Sequence, residues 1–319
     1  MFNTLRAVVQ LTRPAQWVKN VFVFAALVFG VPWYEPGAID AILVALAAFG
    51  IFCLLSGAVY AFNDLLDWKE DAQHPTKKNR PVARGAISPA AAGLIAVLLA
   101  STGAIASLQM PRGFALTAMV YLILNLVYSL WGKRRVLLDV ILIAIGFVLR
   151  ALAGAQAIEV EVSAWLVVCT FTLCLFLGFG KRRCELAVLE NDSKAAKHRA
   201  TLSEYSLELL TQLLSVTGAM AVMTFLLYTL DPNTPSPHSL VFTTPLVFYA
   251  IFRYAMVISR GERTGPTDVL INDRPFLATA VVWTVLTIAL VLLKGNHLET
   301  YLPLLRYPGS PATTMPVGP

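Results

Sequence analysis

The sequence predicts an all-α integral membrane protein of about nine transmembrane helices, and three observations carry that prediction. Hydrophobic residues fill 57% of the 319 positions and charged residues only 14%, with a mean hydropathy of +0.68, outside the range of soluble domains. Apolar runs of about 18 or more residues, enough helix to cross a roughly 30 Å hydrocarbon core, recur along the whole chain. Nearly all the lysines and arginines fall into alternate connections between those runs.

In chain order the expected spans are Val18–Val31, Ala41–Phe62, Pro89–Leu108, Gly113–Trp131, Val136–Ile158, Ser163–Gly180, Ser206–Leu230, Leu240–Ile258 and Phe276–Leu293. The first is short and needs flanking residues to cross. A few basic residues precede it, but no A-x-A-like site ends it, so it reads as an uncleaved span. The connections are too short for a separate soluble domain. Residues 1–306 therefore read as one transmembrane domain, followed by a Pro-rich tail, 307–319, that is expected to be unfolded. Cys53, Cys169, Cys174 and Cys184 lie within spans or at a span's end and read as packing residues, not as a disulfide or zinc framework.

Every lysine and arginine except Arg112, Arg150, Lys294 and Arg306 falls in the N-terminal arm or in the second, fourth, sixth and eighth connections. By the positive-inside rule that side faces the cytoplasm, and the multi-pass chain is expected in the plasma (inner) membrane. The net charge of +6 is then a topological signal first. The same basic surface attracts anionic lipid or phosphorylated substrates, whereas nucleic acid is a poor reading. Oligomeric state is left open, a homo-oligomer included.

Topology does not explain the acids of the second connection, AFNDLLDWKEDAQHPTKKNRPVARG, because acidic residues contribute little to orientation. On a helix, Asn63, Asp67 and Asp71 recur at i, i+4 and i+8, with Asp64 at the edge of the same stripe. Stacked carboxylates at a helix C-terminus repel one another and call for a cation. Hard oxygen ligands beside basic residues suit Mg²⁺ held jointly by the protein and a substrate's phosphates. The alternative is a solvated helix end whose acids pair with the basic residues that follow.

N-D-x-x-D-x-x-x-D at Asn63–Asp71, followed by N-R-P-x-x-x-G at Asn79–Gly85, resembles the first signature of the UbiA superfamily of intramembrane prenyltransferases. The nine spans, with one polar motif after the second and another polar loop after the sixth, fit a UbiA-like bundle. The resemblance implies a Mg²⁺–diphosphate site on Asn63, Asp67 and Asp71, with Asp64 beside them. The second loop departs from the pattern. Where most members carry a further aspartate cluster, this chain has GFGKRRCELAVLEND, with Lys181, Arg182 and Arg183 in place of the acids and Glu185 as the nearest carboxylate. Lysine and arginine bind phosphate directly, so more phosphate must be accommodated.

Together with LTRPAQWVKN and the WGKRR loop, which holds Lys133 and Arg134, this run resembles the decaprenyl-phosphate phosphoribosyltransferase branch of the superfamily. That resemblance implies phosphoribosyl diphosphate (PRPP) as donor, a polyprenyl phosphate as acceptor, and a product that feeds cell-wall arabinan synthesis. Asp67, Lys181 and Arg182 are the expected catalytic residues. Lys19, Tyr60, Lys77, Arg80, Lys133, Arg134, Arg150 and Glu185 are expected in substrate binding. Arg150, a cation inside a span, needs an anionic partner, either an acid on another span or a substrate phosphate, unless it lies near a span end and snorkels to water. Asp139 lies too far along the same helix to serve. An ordinary UbiA-type prenyltransferase with an aromatic acceptor and a lipid transporter are the rival readings.

Overall fold

The computed structural model describes residues 2–30, 37–73, 77–191, 204–231, 234, 239–261 and 265–293. Among these, eight helices are long and apolar enough to cross a membrane. They are α3 (Ala38–Asp71), α4 (Pro89–Ser107), α5 (Arg112–Leu130), α6 (Leu138–Ala157), α7 (Ala164–Asn191), α8 (Leu207–Leu230), α9 (Thr244–Ser259, with one 3₁₀ turn before it) and α11 (Arg274–Leu293). The short α10 (Pro266–Asn272) lies between the last two. The tail 307–319 and the expected basic residues Lys194, Lys197 and Arg199 lie outside the described residues.

The first expected span takes a different form. After α1 (Phe2–Thr12) the chain runs as a 3₁₀ helix over Pro14–Phe24 and then as α2 (Ala25–Gly30). Hydropathy cannot report rise per residue. Eleven 3₁₀ residues at about 2.0 Å and six α residues at about 1.5 Å cover about 31 Å, enough for a hydrocarbon core from a run that looked too short. Pro14 supplies the φ that starts this segment, while Arg13 before it sits in the left-handed region at φ +50°.

Two spans overrun the membrane. At 34 residues α3 is about 51 Å long, and the 28 residues of α7 make about 42 Å, so both project beyond a roughly 30 Å core. No breaker stands between Phe62 and Asp71, which leaves the acidic motif on the end of a rigid helix. The stretch after Gly180, read from sequence as a loop, is likewise helical through Asn191.

Helices α3 and α4, α5 and α6, and α7 and α8 pair as neighbours, and α11 packs on α9. One core joins the first half through Val23, Phe52, Phe114 and Tyr121; a second joins Phe176, Ile251 and Tyr254 in the other half. Helix α1 buries Ala7 and Leu11, one turn apart, against Ala61, Val82 and Ile87, which fastens the arm to the motif end of α3. Glycine 154 sets how closely the first segment approaches α6. A Cβ there would lie 1.8 Å from the Val23 carbonyl oxygen, so only a glycine admits this contact.

Candidate active site

The end of α3 turns its stripe inward. Asp64 and Asp71 are buried, Asp67 is partly exposed and Glu70 points outward. Each stripe carboxylate meets a cation from a different part of the chain. Asp64 pairs with Arg13 of the arm, Asp71 with Arg80, and Asp67 with Lys133, whose Nζ is 2.5 Å from Oδ1. Arg80 also reaches Asp64 at 3.6 Å, and Lys77 reaches Asp71 at 3.8 Å. Backbone geometry delivers Arg80: the Arg80–Ile87 turns close with Gly85 at φ +76°, a conformation for which glycine carries no steric penalty.

The solvated-helix-end alternative is thus met in part, since basic residues of the same connection do pair with the acids. Burial separates the two readings, because a solvated end would leave Asp64 and Asp71 open to water. Arg13 was not singled out from the sequence as a site residue. Its guanidinium lies 5.2 Å above the Tyr60 ring, one turn below Asp64, and thereby ties Tyr60 to the motif. The signal available was a charged residue before a proline at the mouth of the first apolar run.

The end of α7 forms the opposite wall. Arg182 is buried between two acids, Asp139 at 2.7 Å and Glu185 at 2.6 Å. Tyr205 donates to Asp139 and accepts from the Leu137 N–H, joining the start of α6 to the entry of α8. Burial holds the Tyr205 phenol above its ordinary pKa, so it stays protonated as the donor. Lys181 is the more open of the two: its side chain is 51% exposed, with the Glu185 carboxylate 4.0 Å away. Arg183 turns away to Thr211 and to the Ile258 carbonyl at the end of α9, and Arg134 is exposed.

Arg150 has no acid partner among the described residues. Its guanidinium donates to Asn20 Oδ1 (2.9 Å), the Gly146 carbonyl (2.9 Å) and the Tyr121 hydroxyl (2.7 Å), and it lies over the Tyr121 and Phe147 rings. Neither snorkelling nor an ion pair accounts for it, since it is 6% exposed. Beyond it, an apolar cavity of about 480 Å³ opens between the first segment and α7, α8, α9 and α11, walled by Phe22, Leu173, Phe225, Tyr254 and Trp283. Its size and lining suit an isoprenoid or other apolar chain.

The described residues gather no group of three or more carboxylate, histidine or cysteine side chains around a single point. A dedicated all-protein metal cage is therefore not built here. Magnesium, however, is usually held by one or two carboxylates together with substrate phosphates. Asp64 Oδ2 is buried with no hydrogen-bond partner, an orphaned anionic acceptor beside Asp71. Such an atom is costly unless a cation completes it, so the donor set fits the ion.

An acid-tipped helix, a basic helix end and an apolar cavity, inside a bundle of membrane-spanning helices, are the parts of an intramembrane transferase. The UbiA prenyltransferase family model matches residues 22–278, and the chain belongs to that family. It is 32% identical over 290 residues to the decaprenyl-phosphate phosphoribosyltransferase of Corynebacterium glutamicum, covering 88% of this chain and 85% of the relative. The enzyme of the same name from Mycolicibacterium smegmatis is 30% identical over 293 residues, covering 88% and 91%. A solved UbiA homolog from Archaeoglobus fulgidus, bound to GPP and Mg²⁺, superposes with a TM-score of 0.68 at 20% identity, covering 89% and 99%, and supports the fold.

Proposed function

We propose that this transferase moves the 5-phosphoribosyl group from PRPP to a polyprenyl phosphate at the cytoplasmic face of the plasma membrane, releasing pyrophosphate. The observation that carries the reading is the basic end of α7: Lys181, Arg182 and Arg183 stand where an ordinary member would hold a second metal-binding acid cluster. The identity to two enzymes of the phosphoribosyltransferase name supports the same choice.

Asn63, Asp64, Asp67 and Asp71 are the residues that would supply Mg²⁺ ligands, one or two carboxylates to an ion together with the donor's phosphates, and the bound metal would neutralise the donor's diphosphate. Arg80, Lys77 and Lys133, already at the carboxylates, turn to the phosphate oxygens as the donor enters. Lys181 reaches the diphosphate from the other wall, with Arg182 held beside it by Asp139 and Glu185. As the bond from C1 of the ribose to the diphosphate oxygen breaks, its electron pair leaves with pyrophosphate and these cations stabilise the added charge. A phosphate oxygen of the acceptor forms the new bond to C1 from the opposite face, inverting the anomeric centre. That oxygen is already anionic near neutral pH, so no general base is needed, and no histidine lies in either motif. The lipid product would serve as a precursor of cell-wall arabinan.

Pyrophosphate release by purified protein in detergent is the test. It should require the donor, the polyprenyl phosphate and Mg²⁺ together. Absence of pyrophosphate release with all three present would sink the proposal, and lipid movement between the leaflets of reconstituted vesicles would then favour a transporter.

A further inference from the structure

The cations of the site divide into two groups by their partners. Arg13, Arg80, Lys77 and Lys133 face the motif's carboxylates, and Lys181 and Arg182 face Glu185. Lys19 and Arg150 make no ion pair with any carboxylate among the described residues. The charges that act most on the Lys19 ammonium are those of Lys181, Arg150 and Arg13, all positive. Arg150 is 6% exposed, and its three hydrogen-bond partners use three of its five N–H groups. A buried cation met only by neutral groups and other cations is costly unless an anion arrives.

The position of this pair says what kind of anion. Side chains three residues apart eclipse on a 3₁₀ helix, so Lys19 stands on one edge with Phe22, and Ala25 and Val28 continue that edge into α2. Phe22, Ala25 and Val28 all line the apolar cavity. Arg150 reaches the same wall from α6: Phe147 lies under its guanidinium and meets Phe22 edge-on at 4.9 Å between ring centroids. Asn20, next to Lys19 in the chain, accepts from Arg150 and ties the 3₁₀ segment to α6. The charged end of the groove is thus Lys19 and Arg150, while the acid-lined cations stand on the α3 side.

We infer that Lys19 and Arg150 form the subsite for the phosphate monoester of the polyprenyl acceptor, whose chain lies in the adjoining apolar cavity, separate from the carboxylate-lined donor site. This rests on the acceptor reading given above and goes beyond it by dividing the cations between the two substrates. The division has a chemical purpose. Metal-binding carboxylates would repel an unmetallated phosphate monoester, so the acceptor needs cations that no acid has claimed.

Thermal unfolding of the purified full-length protein in detergent, titrated with farnesyl phosphate, farnesol, inorganic phosphate or Mg²⁺ with PRPP, tests the inference. Wild type should bind farnesyl phosphate more tightly than either farnesol or inorganic phosphate. Lys19→Gln should weaken farnesyl phosphate by at least about tenfold, the loss of one charge-assisted contact, while donor affinity stays within about twofold. Arg150→Lys should act in the same direction, and Lys19, which is less buried than Arg150, carries the test if that variant fails to fold. Unchanged farnesyl phosphate affinity in Lys19→Gln, or loss of donor affinity instead, overturns the division of the cations. Equal stabilisation of wild type by inorganic phosphate would make this a free-anion site and overturn the lipid assignment. A wild type that does not distinguish farnesyl phosphate from farnesol would remove the acceptor reading itself.

Discussion

Replacing Asp67 by asparagine keeps the side chain's size and removes one charge from the middle of the acidic stripe. Its partner is Lys133, with Nζ 2.5 Å away and side-chain exposures of 25% for Asp67 and 20% for Lys133. The pair is only partly buried, and the amide oxygen of asparagine can still accept from Lys133, so Asp67→Asn should cost about 1–2 kcal/mol and unfold within several degrees of wild type. Its effect on turnover should be far larger. Loss of one charged ligand to the Mg²⁺ that would neutralise the departing diphosphate should cost about 3–4 kcal/mol of transition-state stabilisation, as for the loss of one oxyanion donor, or about 10²–10³ in rate. The assay is transfer of label from PRPP to a polyprenyl phosphate, run beside a thermal melt and a Mg²⁺ titration. Lys133→Met is the companion. If Asp67 served only to hold Lys133, the two variants would share one modest defect and combine without further loss. Contact of both residues with the donor complex predicts separate signatures, a shifted Mg²⁺ requirement for Asp67→Asn and a raised donor KM for Lys133→Met. Near-normal Mg²⁺-dependent transfer by folded Asp67→Asn would refute the assignment of the stripe.

Gly154→Ala sets a Cβ 1.8 Å from the Val23 carbonyl, so the first segment must shift by about 1 Å or more; turnover should fall on the order of 100-fold, read by the same transfer assay. Asp139→Asn strips the buried Arg182 of one of its two acids and should lower stability by about 3–5 kcal/mol, measured as a fall in Tm. Lys181→Ala removes a mostly exposed cation and should leave Tm unchanged while raising the donor KM about tenfold, as expected for one lost charge-assisted contact.

Periodicity made the acidic stripe legible, because i, i+4 and i+8 positions share a face whether or not the helix lies in the membrane. The basic connections were equally legible as topology. The overruns of α3 and α7 were not, since hydropathy marks where apolar sequence ends and says nothing of where helix ends. The first crossing takes in flanking residues from Pro14 on, as its shortness called for, but its 3₁₀ form was not legible, because 3₁₀ and α backbones share composition and differ in rise. Arg13 with Asp64, and Asp139 with Arg182, join residues far apart in sequence, and no local pattern encodes such pairs. Asp139 did carry a signal, as a carboxylate inside a span with no neighbour on its own helix able to balance it. Arg150 was rightly marked as needing explanation, but its neutral partners Asn20 and Tyr121 could come only from the fold.

The most direct test of the account gives the purified wild-type enzyme two labelled donors in parallel. One reaction supplies radiolabelled PRPP with a polyprenyl phosphate, and the other supplies labelled prenyl diphosphate with an aromatic acceptor. The account predicts a labelled lipid from the first reaction, formed one for one with pyrophosphate, and no transfer in the second. Transfer in the second reaction alone would contradict it and mark the chain as an ordinary prenyltransferase of the same fold.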